Sequence, residues 1–334
     1  MKNNIDHSAT AVISAISGNA FITIIKVIAF LFSGSSAMLA EAIHSGADVV
    51  NQIFLLFGIR QSETAPNAEY QWGTGHARYV WNLISAVGVF FAGCGISVYR
   101  GIHALVYPES VASGTIFYVS LGVLVVSFGL DGYTLIVAAR GIRAKKGNMD
   151  FTEYLLEGDD PTIVGVFLED VVATLGVFIA FMGIYFSHKL GSSTPDAVAA
   201  ITIGLLLGFV AIFLAYKNVH FLLGASIPKE QSDDITEFIQ ALPSVESVVS
   251  LKTEVLGPGK IHLVLELEFH GAFFIDRDQI DRDAKDILSG EAVVPILVDT
   301  TERAIRRLGR EINIIERKIK AEFPQVASID LEVN

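Results

Sequence analysis

The sequence predicts an all-α domain of six transmembrane helices followed by a small α/β domain of α-β-β-α-β order, ferredoxin-like in outline. Three observations predict it. Of 334 residues, 51% are hydrophobic and only 18% are charged, where soluble domains carry about 25% charged residues. Apolar runs long enough to cross a bilayer, which takes about 20 residues, recur along the first two thirds of the chain. The charge is also unevenly placed: residues 1–223 hold 11 Lys/Arg and 15 Asp/Glu, and residues 224–334 hold 13 and 21. The composition therefore changes near Gly224, with a membrane domain over 1–223 and an acidic soluble domain over 224–334. A disordered chain, a disulfide-stapled scaffold and an ordinary soluble enzyme are excluded. The net charge of −12 argues against nucleic acid as a partner, which requires a basic face. The single cysteine, Cys94, lies in an apolar run and reads as an inert buried thiol.

The six expected spans are roughly 10–32, 36–60, 79–106, 114–139, 162–187 and 194–223. The first lacks a cleavage site and is followed at once by another span, so it reads as a retained helix. Only Ser33-Gly34-Ser35-Ser36 separates it from the second, which makes a tight helical hairpin. Orientation follows the basic residues of the loops. Lys2, Arg60, Arg78, Arg140, Arg143, Lys145 and Lys146 fall on one side, against Arg100 and Lys189 on the other. Both termini are expected in the cytoplasm, with membrane lipid around the spans. With no transit peptide in view, the expected compartment is a bacterial inner membrane. Gly165, Gly176, Gly204, Gly208, Ala199 and Ala200 would let helices approach closely.

In the soluble domain, 229–241 has apolar residues at helical spacing. A strand at 245–256, a Gly257-Pro258-Gly259 turn and an alternating strand at 261–269 follow. An amphipathic helix at 297–322 and a last strand, ASIDLEV, complete it. The stretch 270–295 carries Asp276, Asp278, Asp281, Asp283 and Asp286. It lacks the glycine and closing glutamate of a calcium loop and reads as a solvated charged helix.

The residues able to carry chemistry are the polar groups inside the spans. Each ionisable group at the bilayer centre costs about 2.5–3.5 kcal/mol on insertion scales. In the second span, AEAIHSGADVVNQIFLLFGIR, His44 and Asp48 are four apart and share a face, with Asn51 and Gln52 one turn on. Two metal-capable side chains one turn apart are the helical half of a tetrahedral site. The fifth span, IVGVFLEDVVATLGVFIAF, carries Glu169 and Asp170. Together these supply nitrogen and oxygen ligands suited to zinc or a similar divalent ion. The alternative is a set of interhelical hydrogen bonds. Ser45 beside His44 does not make a hydrolase, because neighbours on a helix point about 100° apart and no nucleophile elbow is present. Glu41 and Asp131 are further candidates for an ion or proton pathway, and Asp131 could equally pair with Lys26. Asp196, after Thr194-Pro195, fits a first helical turn. His262, Asp330 and Glu332 could make a weak surface metal site; the competing reading is a solvated acidic edge.

The segments AEAIHSGADVVNQIFLLFGIRQS, PNAEYQWGTGHARYVWNLISA, LEDVVATLG and TPDAVAAITIGLLLGFVAIFLAYKNVHFLLG resemble the cation diffusion facilitator family, and within it the zinc transporter nine-like branch. The resemblance covers nearly the whole chain. It implies a dimer, joined through the C-terminal domain, that exports a divalent cation from the cytoplasm in exchange for protons. It implies a transport site in which His44 and Asp48 match the motif of the second span and Asp170 matches the aspartate of the fifth. One position departs. Four residues before that aspartate the wider family has His or Asp, and here stands Val166, which cannot ligate. Glu169, Asn51, Gln52 or water would have to complete the shell. Zinc is the expected cargo, with iron, manganese and cobalt as alternatives. A metal-binding membrane interaction protein without transport is the rival class, and no enzymatic activity is expected. The loop between the fourth and fifth spans holds no histidine, so the C-terminal domain is expected to dimerise rather than sense metal.

Overall fold

The computed structural model describes the chain except residues 1, 109–110, 112–113, 148–149 and 158–160, together with the side chains of 2–15, 17, 145, 157 and 161–162. The basic side chains of Lys2 and Lys145, and the side chains of the first turns of the first span, lie outside the described residues. The chain divides into two compact units, Met1–Leu223 and Gly224–Asn334.

The first unit is helical, as lipid demands: a backbone without water must satisfy its own hydrogen bonds. Helix α1 (Lys2–Ser33) and α2 (Ser36–Ser62) form the expected hairpin. The hairpin turns at Gly34, whose φ of +65° suits a residue without Cβ, and its N–H donates to Phe30 O at 2.8 Å. Ser35 caps α2 by accepting from the Met38 N–H at 3.0 Å. The third span is α3 (Ala77–Gly88), a π-helical stretch (Val89–Ile96) and α4 (Ser97–Val106) in unbroken succession. Next come α5 (Thr115–Lys145), the short α6 (Phe151–Glu157), α7 (Pro161–Leu190) and α8 (Thr194–Leu222). Among the described residues, five helices are long and apolar enough to cross a membrane, and α1 adds an apolar segment, Gly18–Ser33. This is a multi-pass membrane protein.

The core is built on small side chains. Ala29, Ala37, Met38, Ala180, Ala200 and Ile203 are buried in it together. Along α8, Ala200, Gly204 and Gly208 recur every four residues, the spacing that lets membrane helices touch. A Cβ added at Gly204 would stand 2.9 Å from Val98 Cγ2, and one at Gly208 would stand 2.8 Å from Cys94 Sγ. The π-helical turns therefore press directly on this stripe, and Cys94 is half-buried against it. Helix α6 was not expected. It is tied in by Tyr154, which packs with Ile142 and Val164, and by Lys217 Nζ, which donates to Leu155 O at 2.9 Å.

The second unit contains α9 (Lys229–Gln240), β1 (Val245–Gly257), β2 (Lys260–Phe269), a 3-10 turn (Gly271–Phe274), α10 (Arg277–Leu288), α11 (Val293–Glu322) and β3 (Val326–Val333). The sheet order is β1-β2-β3. Strands β1 and β2 pair antiparallel, with Leu251 opposite Leu265, and β2 and β3 pair parallel, with Leu265 opposite Leu331. A parallel pair needs a long crossover, and α11 supplies it. Leu263, Leu265 and Leu267 on β2, Ile235 and Ile239 on α9, and Ile315 and Ile319 on α11 are completely buried. The expected charged helix in 270–295 is α10, none of whose residues is buried.

Candidate functional site

The polar groups of the spans gather where α1, α2, α5 and α7 face one another. On α2, His44 Nε2 stands 3.8 Å from Asp48 Oδ2, and the two side chains are 3% and 24% exposed. That separation is too long for a hydrogen bond. Among the described residues, neither ring nitrogen of His44 has a hydrogen-bond partner, although the residue is buried. Buried polar atoms are ordinarily paired, so an imidazole left bare on both edges needs an explanation. On α7, Asp170 Oδ1 accepts from Thr134 Oγ1 of α5 at 3.2 Å. Its neighbour Glu169 points to a different partner: Glu169 Oε2 accepts from Asn51 Nδ2 at 2.5 Å. Asn51 Oδ1 in turn accepts from Ser85 Oγ at 2.7 Å, so one asparagine links α2, α3 and α7. Gln52 keeps a buried Oε1 without a partner.

Val166 and Glu169 line one cavity with Asn51, Asn82 and Asn218. The place of the missing ligand and the adjacent carboxylate thus open into the same space. Asn82 and Asn218 escaped the sequence reading, because single asparagines in apolar runs are read first as interhelical hydrogen-bonding groups. Among the described residues, no three His, Cys, Asp or Glu side chains converge closely enough to hold a metal ion. The residues His44, Asp48, Glu169 and Asp170 are neighbours, not a closed cage.

A second cluster adjoins the first. Lys26 of α1 is completely buried, and its Nζ donates to Glu41 Oε2 at 2.9 Å and to Ser45 Oγ at 2.8 Å. Asp131 Oδ2 of α5 stands 3.9 Å from the same nitrogen. Glu41, a candidate for the ion or proton pathway, is wholly buried and paired with Lys26, and Ser45 faces the lysine. The Lys26–Asp131 proximity matches one of the two readings of Asp131. The Lys26–Glu41 pair was missed, yet a signal existed. The two residues stand at nearly equal sequence distance either side of Gly34, so the hairpin sets them at one depth.

Asp196 lies in the first turn of α8 as expected, but its carboxylate serves α2. Its oxygens accept from Ser35 Oγ at 2.6 Å, the Ser36 N–H at 2.5 Å and the Ala37 N–H at 3.3 Å. These are the unpaired donors of a helix N-terminus, where a negative charge is favoured. In the second unit, His262 Nε2 is 3.5 Å from Asp330 Oδ2. The two residues form no three-ligand group with Glu332.

Residues 12–223 match the cation efflux transmembrane domain. The chain is 34% identical over 317 residues to the human "Proton-coupled zinc antiporter SLC30A9, mitochondrial", covering 92% of this chain and 55% of that protein. It is 30% identical over 343 residues to "Metal tolerance protein C4" of Arabidopsis thaliana, covering 99% and 74%. It is 27% identical over 265 residues to "Cation-efflux pump FieF" of Klebsiella pneumoniae, covering 78% and 79%. The chain thus spans little more than half the length of the human relative. With the domain match over its membrane helices and these identities along most of its length, the chain belongs to the cation efflux family, in the zinc transporter nine-like branch.

Proposed function

We propose that this protein is a secondary transporter that moves a divalent cation, zinc first, across its membrane in exchange for protons, around His44, Asp48 and Asp170. The observation that carries the reading is His44: a buried imidazole with both nitrogens bare, one helical turn from a carboxylate. A metal ion is the partner such a nitrogen lacks. Zinc takes one imidazole and two carboxylates readily, and a transport site keeps a further position open.

The separation of the ligands suits a carrier. Asp170 is held by Thr134 and Glu169 by Asn51, so closing the shell requires α7 and α2 to shift against each other. Metal binding needs neutral imidazole and ionised carboxylate, so each arriving ion expels protons. Protons returning when the ion leaves on the other side would couple the two fluxes. Glu169, which shares a cavity with Val166, is the side chain best placed to stand in for the missing fourth ligand, with Asn51 as its support and Gln52 as a further donor. The name of the human relative, a proton-coupled zinc antiporter, supports this cargo and coupling, and that of the bacterial relative, a cation-efflux pump, supports cation export.

The second unit, with its three-stranded sheet and exposed α11, is proposed as the dimerisation domain of a homodimer. The basic loop residues support both termini on the cytoplasmic side, and a bacterial inner membrane is the proposed compartment. The names of the vertebrate relatives carry a mitochondrial compartment, for which the same loop bias would read as the matrix side.

The test is zinc-driven proton flux in proteoliposomes. We predict that His44→Ala and Asp48→Ala each abolish it while the protein stays folded. Full flux in both variants would refute the site. Running the assay with zinc, iron, manganese and cobalt orders the cargoes, and metal binding without flux for any of them would favour an interaction protein.

A further inference from the structure

The mechanism above leaves Lys26 unused, and it is the most unusual group in the membrane unit. An ammonium with no exposed surface lies among three oxygens from two other helices: Glu41 Oε2 at 2.9 Å, Ser45 Oγ at 2.8 Å and Asp131 Oδ2 at 3.9 Å. Two of the cluster's oxygens, Glu41 Oε1 and Asp131 Oδ2, accept no hydrogen bond although buried. Helix α7 contributes an empty wall: a Cβ at Gly176 would collide with Glu41 Oε1. Two carboxylates and a hydroxyl around one positive charge form the oxygen shell that divalent cations take. The shell begins on α2 one turn before the His44–Asp48 pair.

We infer that Lys26 is a tethered cation filling a second, oxygen-lined cation site made by Glu41, Ser45 and Asp131, which keeps the transported ion from settling beside the His44–Asp48 site. Two buried carboxylates without Lys26 would need either protons or a counter-ion. A mobile divalent ion would meet that demand and then leave slowly, since charge attraction is strong where water is excluded. A cation on a side chain satisfies the same oxygens and cannot be carried away. Lys26 is thus a specificity-determining and positioning residue. The inference rests on reading His44 and Asp48 as the ion site, and the experiment separates the two.

The full chain, purified in detergent, is titrated with Co²⁺ and the bound ions are counted per chain. Lys26→Met should gain one bound Co²⁺ over the wild-type count. Lys26→Arg should keep the wild-type count. Lys26→Met/Glu41→Gln should lose the gain, because the shell then lacks a carboxylate. The same Lys26→Met step in a His44→Ala/Asp48→Ala background should again add one ion. A gain there supports the inference even if the parent variant shows that His44 and Asp48 bind nothing, so the two readings fail separately. A folded Lys26→Met chain with the wild-type count overturns the inference. If Lys26→Met folds poorly, its thermal unfolding is followed with and without Co²⁺. A rise in Tm well beyond that of wild type supports the second site, and an equal or smaller rise overturns it.

Discussion

His44 and Asn51 show how a single side chain in a bilayer can be read by what it lacks or holds. Asn51 spends its amide on Glu169 at 2.5 Å and its carbonyl on Ser85 at 2.7 Å, so it fixes a carboxylate in place. Partners of this kind, when removed, typically weaken metal binding about 10–100-fold. We predict that loss for zinc in Asn51→Ala, measured by calorimetric titration. Unchanged affinity would detach Glu169 from the proposed ion site. Asp196 is a second residue whose role is specific. Its carboxylate satisfies three donors around the start of α2, and an amide in its place can accept at one oxygen only. Asp196→Asn should lower stability by about 1–3 kcal/mol, seen as a drop in Tm in detergent with the helical content intact. These roles were only partly legible in the sequence. The spacing of His44 and Asp48 is visible because one helix sets it. The hairpin sets Lys26 and Glu41 at one depth, but whether they face each other, and what Asp196 meets, depends on how separate helices are rotated, which no local pattern records.

At the scale of elements, the stripe Ala200, Gly204 and Gly208 decides where α8 sits against the third span. Gly204 has Val98 Cγ2, Ser97 Cβ and Val98 N within 2.9–3.1 Å of where a Cβ would lie. Gly204→Val must push these helices apart, and overpacking of this kind typically costs about 1–3 kcal/mol. Thermal unfolding of the variant checks it, and an unchanged Tm would show that the contact yields. The hydropathy of the third span announced a helix but gave no sign of the π-helical turns at Val89–Ile96, because a widened turn leaves composition untouched. Helix α6 escaped for another reason: seven residues are too few for periodicity to register. In the second unit, α10 is clasped to α11 by Asp276 with Arg307 and Asp283 with Arg303. Both carboxyls are held below the usual carboxylate range. For Asp276 the main cause is the Gln279 N–H, with Arg307 adding; for Asp283 it is the Gln279 side chain, with Thr300 and Arg303 adding. A depressed carboxyl stabilises the fold at neutral pH and stops doing so as pH falls through its folded value. The clasp should therefore hold at neutral pH and open in acid below the usual carboxylate range. NMR shifts of α10 followed down in pH would show this, and shifts that stay native there would refute it.

At the scale of the molecule, the charge split near Gly224 and the division of the chain into Met1–Leu223 and Gly224–Asn334 suggest that the second unit folds alone. Expressed separately, 224–334 should show a cooperative thermal transition and, as the proposed dimerisation domain, a concentration-dependent mass in sedimentation. A monomer at all concentrations would move the dimer contact elsewhere. The order of elements was legible here, since strands and helices of this domain alternate cleanly. The parallel pairing of β2 with β3 follows from the crossover that α11 makes. The fixation of α2 by Asp196 has a mechanical consequence. Helix α2 has 27 residues, about 40 Å at 1.5 Å per residue, and it is pinned at Ser35–Ala37. His44 lies about 12 Å from that pin and Arg60 about 36 Å from it. The helix is a lever with its proposed ion site close to the fulcrum. We expect a tilt of α2 to displace Arg60 about three times as far as His44, which spin-label distances from each end of the helix to α8 would measure. A small adjustment of ligands would then be read out as a large opening at the far end.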